Sequence, residues 1–260
     1  MSRNTGWMVV LLAAVVALGA ALPAALADEA CDKAFEALKT YEWGQDRSVL
    51  QPIDDAVAAS HKDAAARKEL EKRLAALLST DVPQAAKDVV CRKLSLVGSA
   101  DCVPAVAPLL TDEKLSHMAR YALERIPDAA AVKAMRDAMP KVKGKLKVGV
   151  INSLGVRRDA ESTAALTALL KDSDQQIAAA AAAALGAIGT PDAAKALEAF
   201  EAPEALALAV ADAKLCCAEK LLADGKKVDA LNIYKALTKS KVKHVRVAAM
   251  RGMLATTGKK

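Results

Sequence analysis

The side chains able to do chemistry are few and scattered. His61, His117 and His244 have no serine, cysteine or glutamate placed beside them at triad or metal spacing. Asp54 and Asp55 stand together, as a carboxylate pair for acid–base work would. Neighbours on a helix diverge by about 100°, however, and a solvated face is the plainer reading. The five cysteines are Cys31, Cys91, Cys102, Cys216 and Cys217. If Cys91 is mid-helix and Cys102 opens the next antiparallel helix, roughly 9 Å of axial rise separates them. A disulfide wants Cα atoms within about 7 Å. Cys216 and Cys217 are adjacent and point to different faces of a helix. These residues therefore read as buried free thiols packing as small hydrophobes. No cysteine–histidine set has zinc-ligand spacing, so neither a metal, a cofactor nor a redox role is expected.

The formal net charge is +6, with dense basic runs at Lys141–Lys147 and Lys239–Arg246. Such runs suit an anionic partner or simply a solvated helix face. Nucleic acid fits poorly, because no aromatic residues interleave the lysines for base stacking.

The elements that position these groups are helices. Hydrophobic residues make up 53% of the chain and aromatics only 3%, the apolar content being mostly Ala, Leu and Val. That composition favours close-packed helices over a β-sandwich, and the expected class is all-α. At the amino terminus, Arg3 precedes an apolar run from Trp7 to Leu22, then Pro23 and Ala25-Leu26-Ala27. This is the pattern of an export signal over 1–27, with a mature start at Asp28 and a periplasmic or secreted destination. An uncleaved anchor is the alternative, the run being nearly long enough to span a bilayer. If the signal is cleaved, no stable membrane insertion is expected.

Residues 28–80 read as a helical cap. One amphipathic helix runs from Cys31 to about Gly44, with Phe35, Leu38 and Tyr41 on its stripe. A second spans Ser48 to Ser60, and a third, charged one runs from Ala64 to Leu78.

Residues 81–260 repeat. The clearest unit is Ser173 to Gly189, with seven consecutive alanines (Ala178 to Ala184), a capping box from Ser173 and Gln176, and a stop at Gly189. Its anchors are Ile177, Ala181 and Leu185, one helical stripe. The same frame fits Ala86/Val90/Leu94, Leu115/Ala119/Leu123, Leu146/Val150/Leu154 with Gly155 as an early stop, Ala207/Ala211/Leu215 and Val245/Ala249/Met253. First anchors recur after 29, 31, 31, 30 and 38 residues. Each such helix has an apolar partner ahead of it. Pro104 suits the first turn of one of these, and Pro108 should bend the same helix.

These residues resemble the HEAT repeat, in the short bacterial form also found in phycobilin-lyase HEAT-like proteins. The most specific marks are Val245-Arg246-x-x-Ala249 and Ala184-Leu185-Gly186-Ala187-Ile188-Gly189, while Ala230–Leu237 looks tetratricopeptide-like. The resemblance implies a right-handed α–α superhelix, HEAT/ARM-like, of about six helix pairs. It also implies a non-catalytic scaffold that holds a protein partner on a concave face lined by second helices, and the export signal would place that scaffold in the cell envelope. The family often places a basic residue just after the first anchor. Lys87, Lys147 and Arg246 match this, whereas Ser116, Ala178 and Leu208 depart. Lys87, Arg120, Lys147 and Arg246 are thus the expected partner-binding side chains; bridging to acids on neighbouring repeats is their plainer role. Two alternatives follow, an anionic ligand on the basic patches and a phycobilin-lyase-like enzyme. The last fits worst, since such work should need a groove with placed carboxylates and aromatics.

Overall fold

Alanine-rich segments interrupted by Gly, Pro and capping Asp or Thr fold into short helices here, each burying one leucine–valine stripe. The computed structural model describes residues 29–258; the expected export signal over 1–27 and the expected mature start at Asp28 lie outside the described residues. Among the described residues every regular element is a helix. The chain opens with α1 (Glu29–Leu38), α2 (Gln51–Ser60) and α3 (Ala64–Leu78), and α4 (Gln84–Val97) packs back on α3. Five further pairs follow: α5 (Val103–Val106) with α6 (Ser116–Leu123), α7 (Ala129–Ala138) with α8 (Gly144–Val156), α9 (Thr163–Leu169) with α10 (Gln175–Ile188), α11 (Pro191–Ala199) with α12 (Glu204–Ala223), and α13 (Lys227–Leu237) with α14 (Lys243–Thr256). The second helices α4, α6, α8, α10, α12 and α14 touch in that order. The result is an all-α solenoid of six stacked pairs with one continuous core between its two helix rows.

Local rules account for the helix ends. Asp63, Asp128, Asp174 and Thr190 each accept an amide of the first turn of the helix they open. Gly189 closes α10 with φ 64°, the left-handed cap a side chain would resist. Pro104 lies in the first turn of α5, and the chain tightens to 3-10 geometry at Ala107–Thr111, where Pro108 removes an amide.

Four details differ from the sequence reading. The cap of α10 is Asp174, one residue beyond Ser173, with its carboxylate accepting from the Gln176 amide at 2.8 Å. Helix α1 ends at Leu38, earlier than Gly44; Tyr41 still turns inward, while Trp43 is exposed. In α12 the core stripe opens with Leu206 and Val210, one residue before the expected Ala207 and Ala211, and continues through Ala213 and Cys217; Ala207 is exposed. Gly155 does not stop α8, which runs on to Val156. A Cβ on Gly155 would fall 2.9 Å from Ala184 Cα, and one on Gly186 would fall 2.5 Å from the Ala213 carbonyl oxygen. Both glycines are contact points between neighbouring second helices, where backbone meets backbone.

Cys31, Cys91, Cys102 and Cys217 are buried. Burial pushes the Cys91, Cys102 and Cys217 thiols from 9.0 to about 12, with Asp88, Glu71 and the Cys216–Glu198 side respectively adding to it.

Gly186→Val should destabilise the fold by about 1–3 kcal/mol through overpacking, against which the gain in helix propensity is only a few tenths. Ala183→Val, on the exposed face one turn away, should cost only about 0.5 kcal/mol of helix propensity; urea unfolding followed by circular dichroism compares them. A second expectation concerns alkaline pH. The unfolded thiols titrate first, so their stabilising contribution is intact below pH 9 and is lost between about 9 and 12. The urea midpoint should fall across that window, and fall less in a Cys91→Ala/Cys102→Ala/Cys217→Ala variant.

Candidate functional site

The core anchors that open the stripe of each second helix are Ala86, Leu115, Leu146, Ile177, Leu206 and Val245. Counting from them sorts every side chain of the row by its surroundings. Residues one position on lie along a flank: Lys87, Lys147 and Arg246 are half-buried, and Ser116 and Ala178 are buried. Residues five and nine on, such as Ile151 with Gly155 and Ala182 with Gly186, are buried where the next second helix stacks. Residues six and ten on form the open face. They are Arg92/Leu96, Tyr121/Arg125, Asn152/Val156, Ala183/Ala187, Asp212/Cys216 and Arg251/Ala255.

The four basic residues expected to bind a partner are therefore not brought together. The Arg246 guanidinium donates to the carbonyls of Ser240 and Lys241, 2.8 Å each, and so braces the turn before its own helix. Lys87 and Lys147 make no ion pair or side-chain hydrogen bond among the described residues and sit two repeats apart. Arg120 enters the joint between α6 and α8, donating to the Gly149 carbonyl and Ser153 Oγ at 3.3 Å and lying 3.4 Å from His117 Nδ1. Gly149 makes the space, since a Cβ there would come within 2.7 Å of the guanidinium carbon. Burial lowers the Arg120 pKa from its ordinary value, and Glu124 opposes that.

Ser153 also donates to Glu124 Oε1 at 2.6 Å. Serine, carboxylate, histidine and arginine within one cluster suggest a hydrolytic centre. The geometry answers differently. Ser153 is fully buried, so no substrate reaches its hydroxyl, and His117 addresses Arg120 instead of the serine. The cluster is a polar rivet between two repeats.

The open face carries a different group. The Arg125 guanidinium lies 3.7 Å from the centroid of the Tyr121 ring, and that of Arg92 lies 6.0 Å from it. Arg92 also approaches Met118 Sδ at 3.9 Å, while Arg125 donates to the Tyr121 carbonyl at 3.0 Å. Asp88, buried one turn back, holds Arg92 at 3.1 Å. His117 and Leu96 are exposed at the border, Leu96 by 50%. The two cation–π contacts hold the Tyr121 ring and its guanidiniums in place on this face, at a rotamer-entropy cost that is met before any partner arrives. Sequence reasoning missed Arg92, Tyr121 and Arg125. The signal that could have found them is the position six residues past each anchor for Arg92 and Tyr121, nearly opposite the core, and ten past for Arg125, one turn further along the same face.

Comparison with known proteins bears on this row. Residues 142–213 match the family described as HEAT repeats. That match spans α8 to α12, the most alanine-rich part of the array. No curated protein matches the chain. Among solved structures, the crystal structure of one engineered protein is 16% identical at a TM-score of 0.44, covering 90% of this chain and 69% of that one. Two other engineered proteins are 16% and 18% identical, at TM-scores of 0.35 and 0.32; the first covers 86% of this chain and 96% of its own, the second 89% and 99%. Among the described residues no group of three or more His, Cys, Asp or Glu lies close enough to hold a metal ion, and no helix is long and apolar enough to cross a membrane.

Arginines also join the repeats behind the open face. Arg157 donates to the Glu124 and Ile126 carbonyls at 3.1 and 2.6 Å, just past the end of α6. Arg67 does the same to Val97 and Leu96 at the end of α4, and Arg158 to Ile188 at the end of α10. Each supplies a cation where a helix presents carbonyls without intrahelical donors. Arg157→Ala should cost about 1.5–3 kcal/mol, the range for hydrogen bonds from a charged donor. Arg157→Lys should restore only part of this, because a single ammonium lacks the second guanidinium nitrogen, Nη2, which reaches the Asp128 carbonyl at 3.5 Å; thermal unfolding of the three proteins measures it.

Proposed function

We propose that this chain is a non-catalytic scaffold of the cell envelope that holds a protein partner on the open face of its second helices. In this reading residues 1–27 direct export, 28–80 form an amino-terminal cap, and 81–260 form the repeat array with a tetratricopeptide-like end. The observation that carries the proposal is Tyr121 clasped between Arg92 and Arg125 at the solvent positions of two adjacent repeats. Tyrosine and arginine dominate the strongly contributing residues of protein interfaces. A pre-ordered pair of this kind loses little freedom on association. The neighbouring face is suited to a docked helix or loop, with Asn152 and Val156 on α8 and small residues, Ala183 and Ala187, on α10. Lys87 and Lys147, half-buried on the flank, would set the rate and orientation of encounter more than the affinity.

A second reading has its own observation. The same two guanidiniums, with Lys141, Lys143, Lys145 and Lys147 further along, would attract an anionic ligand.

Capture on the immobilised 28–260 chain from extract of its own source, at low and high salt, separates the two. A specific protein should be retained at both salts and lost, by tenfold or more in affinity, with Tyr121→Ala. Anionic material released by high salt and indifferent to Tyr121→Ala would favour the second reading, because exposed charge attraction is screened.

A further inference from the structure

Among the described residues α14 is the last of the second helices, and no further second helix stacks on its outer edge. Five and nine residues past its anchor, α14 carries Met250 and Leu254, 53% and 58% exposed, with Val247 beside them at 38%. In α8 and α10 the same two positions are Ile151/Gly155 and Ala182/Gly186, all buried against the next second helix. In α12 they are Ala211 and Leu215, half-buried and packed on the core beside α14. The stacking edge is thus built once more than it is used among the described residues. A repeat edge that simply faces solvent is polar, and this one is apolar at both stacking positions.

Charge selects the occupant. From Ala230 to Lys260 the sequence has eight Lys or Arg and no Asp or Glu. Lys243 and Arg251 border the apolar stripe. The acids nearest α14 belong to α12, where Asp212 lies 3.9 Å from His244 and Glu219 lines the groove shared with Arg251 and Gly252. They lie on the side already occupied and leave the outer edge unbalanced. A second copy docking edge to edge would set two such basic helices against each other.

We propose that the outer edge of α14 is a docking site for an acidic amphipathic helix of a partner protein, which stacks on Met250 and Leu254 as a seventh second helix would. Its contacting stripe carries small apolar residues, as Ala184 and Ala213 do where they receive Gly155 and Gly186, and its glutamates or aspartates face Lys243 and Arg251. The site is separate from the Tyr121 clasp and stands or falls without it.

The probe is a synthetic helical peptide about four turns long, with alanine and leucine at i, i+3, i+4 and i+7 and glutamate at the remaining positions. Its control has lysine in place of every glutamate. With the 28–260 chain, the glutamate peptide should move the Met250 methyl resonance and leave that of buried Met135 in place. Affinity should fall at least tenfold with Met250→Glu/Leu254→Glu, both exposed enough to leave folding intact, and be unchanged by Tyr121→Ala. Equal binding of both peptides, or binding of neither, overturns the proposal. So does sedimentation showing a dimer that Leu254→Glu abolishes, which makes a second copy the occupant. Binding to phosphatidylglycerol vesicles that displaces the glutamate peptide from Met250 would likewise overturn it and assign the edge to a membrane surface.

Discussion

Close approach between successive second helices is the constraint on which the rest of this structure depends. Gly155 meets Ala184, and Gly186 meets the Ala213 backbone, at distances that leave no room for a Cβ. The run Ala178–Ala184 ends at the first of these contacts, two residues before Gly186, and the helix that carries it, α10, packs against α8, α9, α11 and α12. Alanine has almost no rotamer freedom to lose, so α10 is ordered cheaply. Its hydrophobic gain per residue is correspondingly small, and stability has to come from many short van der Waals contacts. Larger side chains then gather in the other row and in the seams, as with Leu110, Met135 and Tyr234.

Packing this close brings helix ends together, and polar groups settle there. Arg67, Arg157 and Arg158 reach across a seam to carbonyls that their helices leave without donors. At the opposite end, buried Glu71 accepts the amides of Ser99 and Cys102 ahead of α5 at 2.6 and 3.1 Å. Asp159 joins Arg136 across another seam, and Lys93 pairs with Asp54 between α4 and α2. The interior ion pairs and rivets set register: removing one partner would leave a buried charge or polar group unsatisfied. The +6 net charge of the chain is therefore a poor guide to its outward surface. Several of its arginines are committed to carbonyls inside the stack, and what faces outward is a smaller, differently placed set.

Much of the fold was legible in the sequence because periodicity reports burial directly. Anchors four residues apart, recurring every 29 to 31 residues, could only be helix stripes facing a shared core, and α3, Ala64 to Leu78, matches the sequence expectation to the residue. The errors were local, and two of them had local causes. Asp172-Ser173-Asp174 offers three possible caps for α10, and only the backbone angles choose among them. The register of α12 slipped by one because Leu206-Ala207-Leu208 is apolar throughout. Gly155 looked like a stop because a glycine in a helix is costly unless something needs the space, and that something, Ala184, is 29 residues away.

What the sequence determined by itself was the helical class, the number of pairs and the inward stripe of most of them. Each follows from contacts within one helix or between neighbours in the chain. Which outward side chains remain available was decided only in three dimensions. A helix in a stack has two covered sides, one toward its own pair and one toward the next repeat, and periodicity within a single helix sees only the first. Hence Arg120 and Arg246, polar and off the core stripe, are held in a joint and a turn, while Arg92, Tyr121 and Arg125 meet on the open face. Hence too Met250 and Leu254 read as ordinary helix residues until the stack shows that nothing among the described residues covers them.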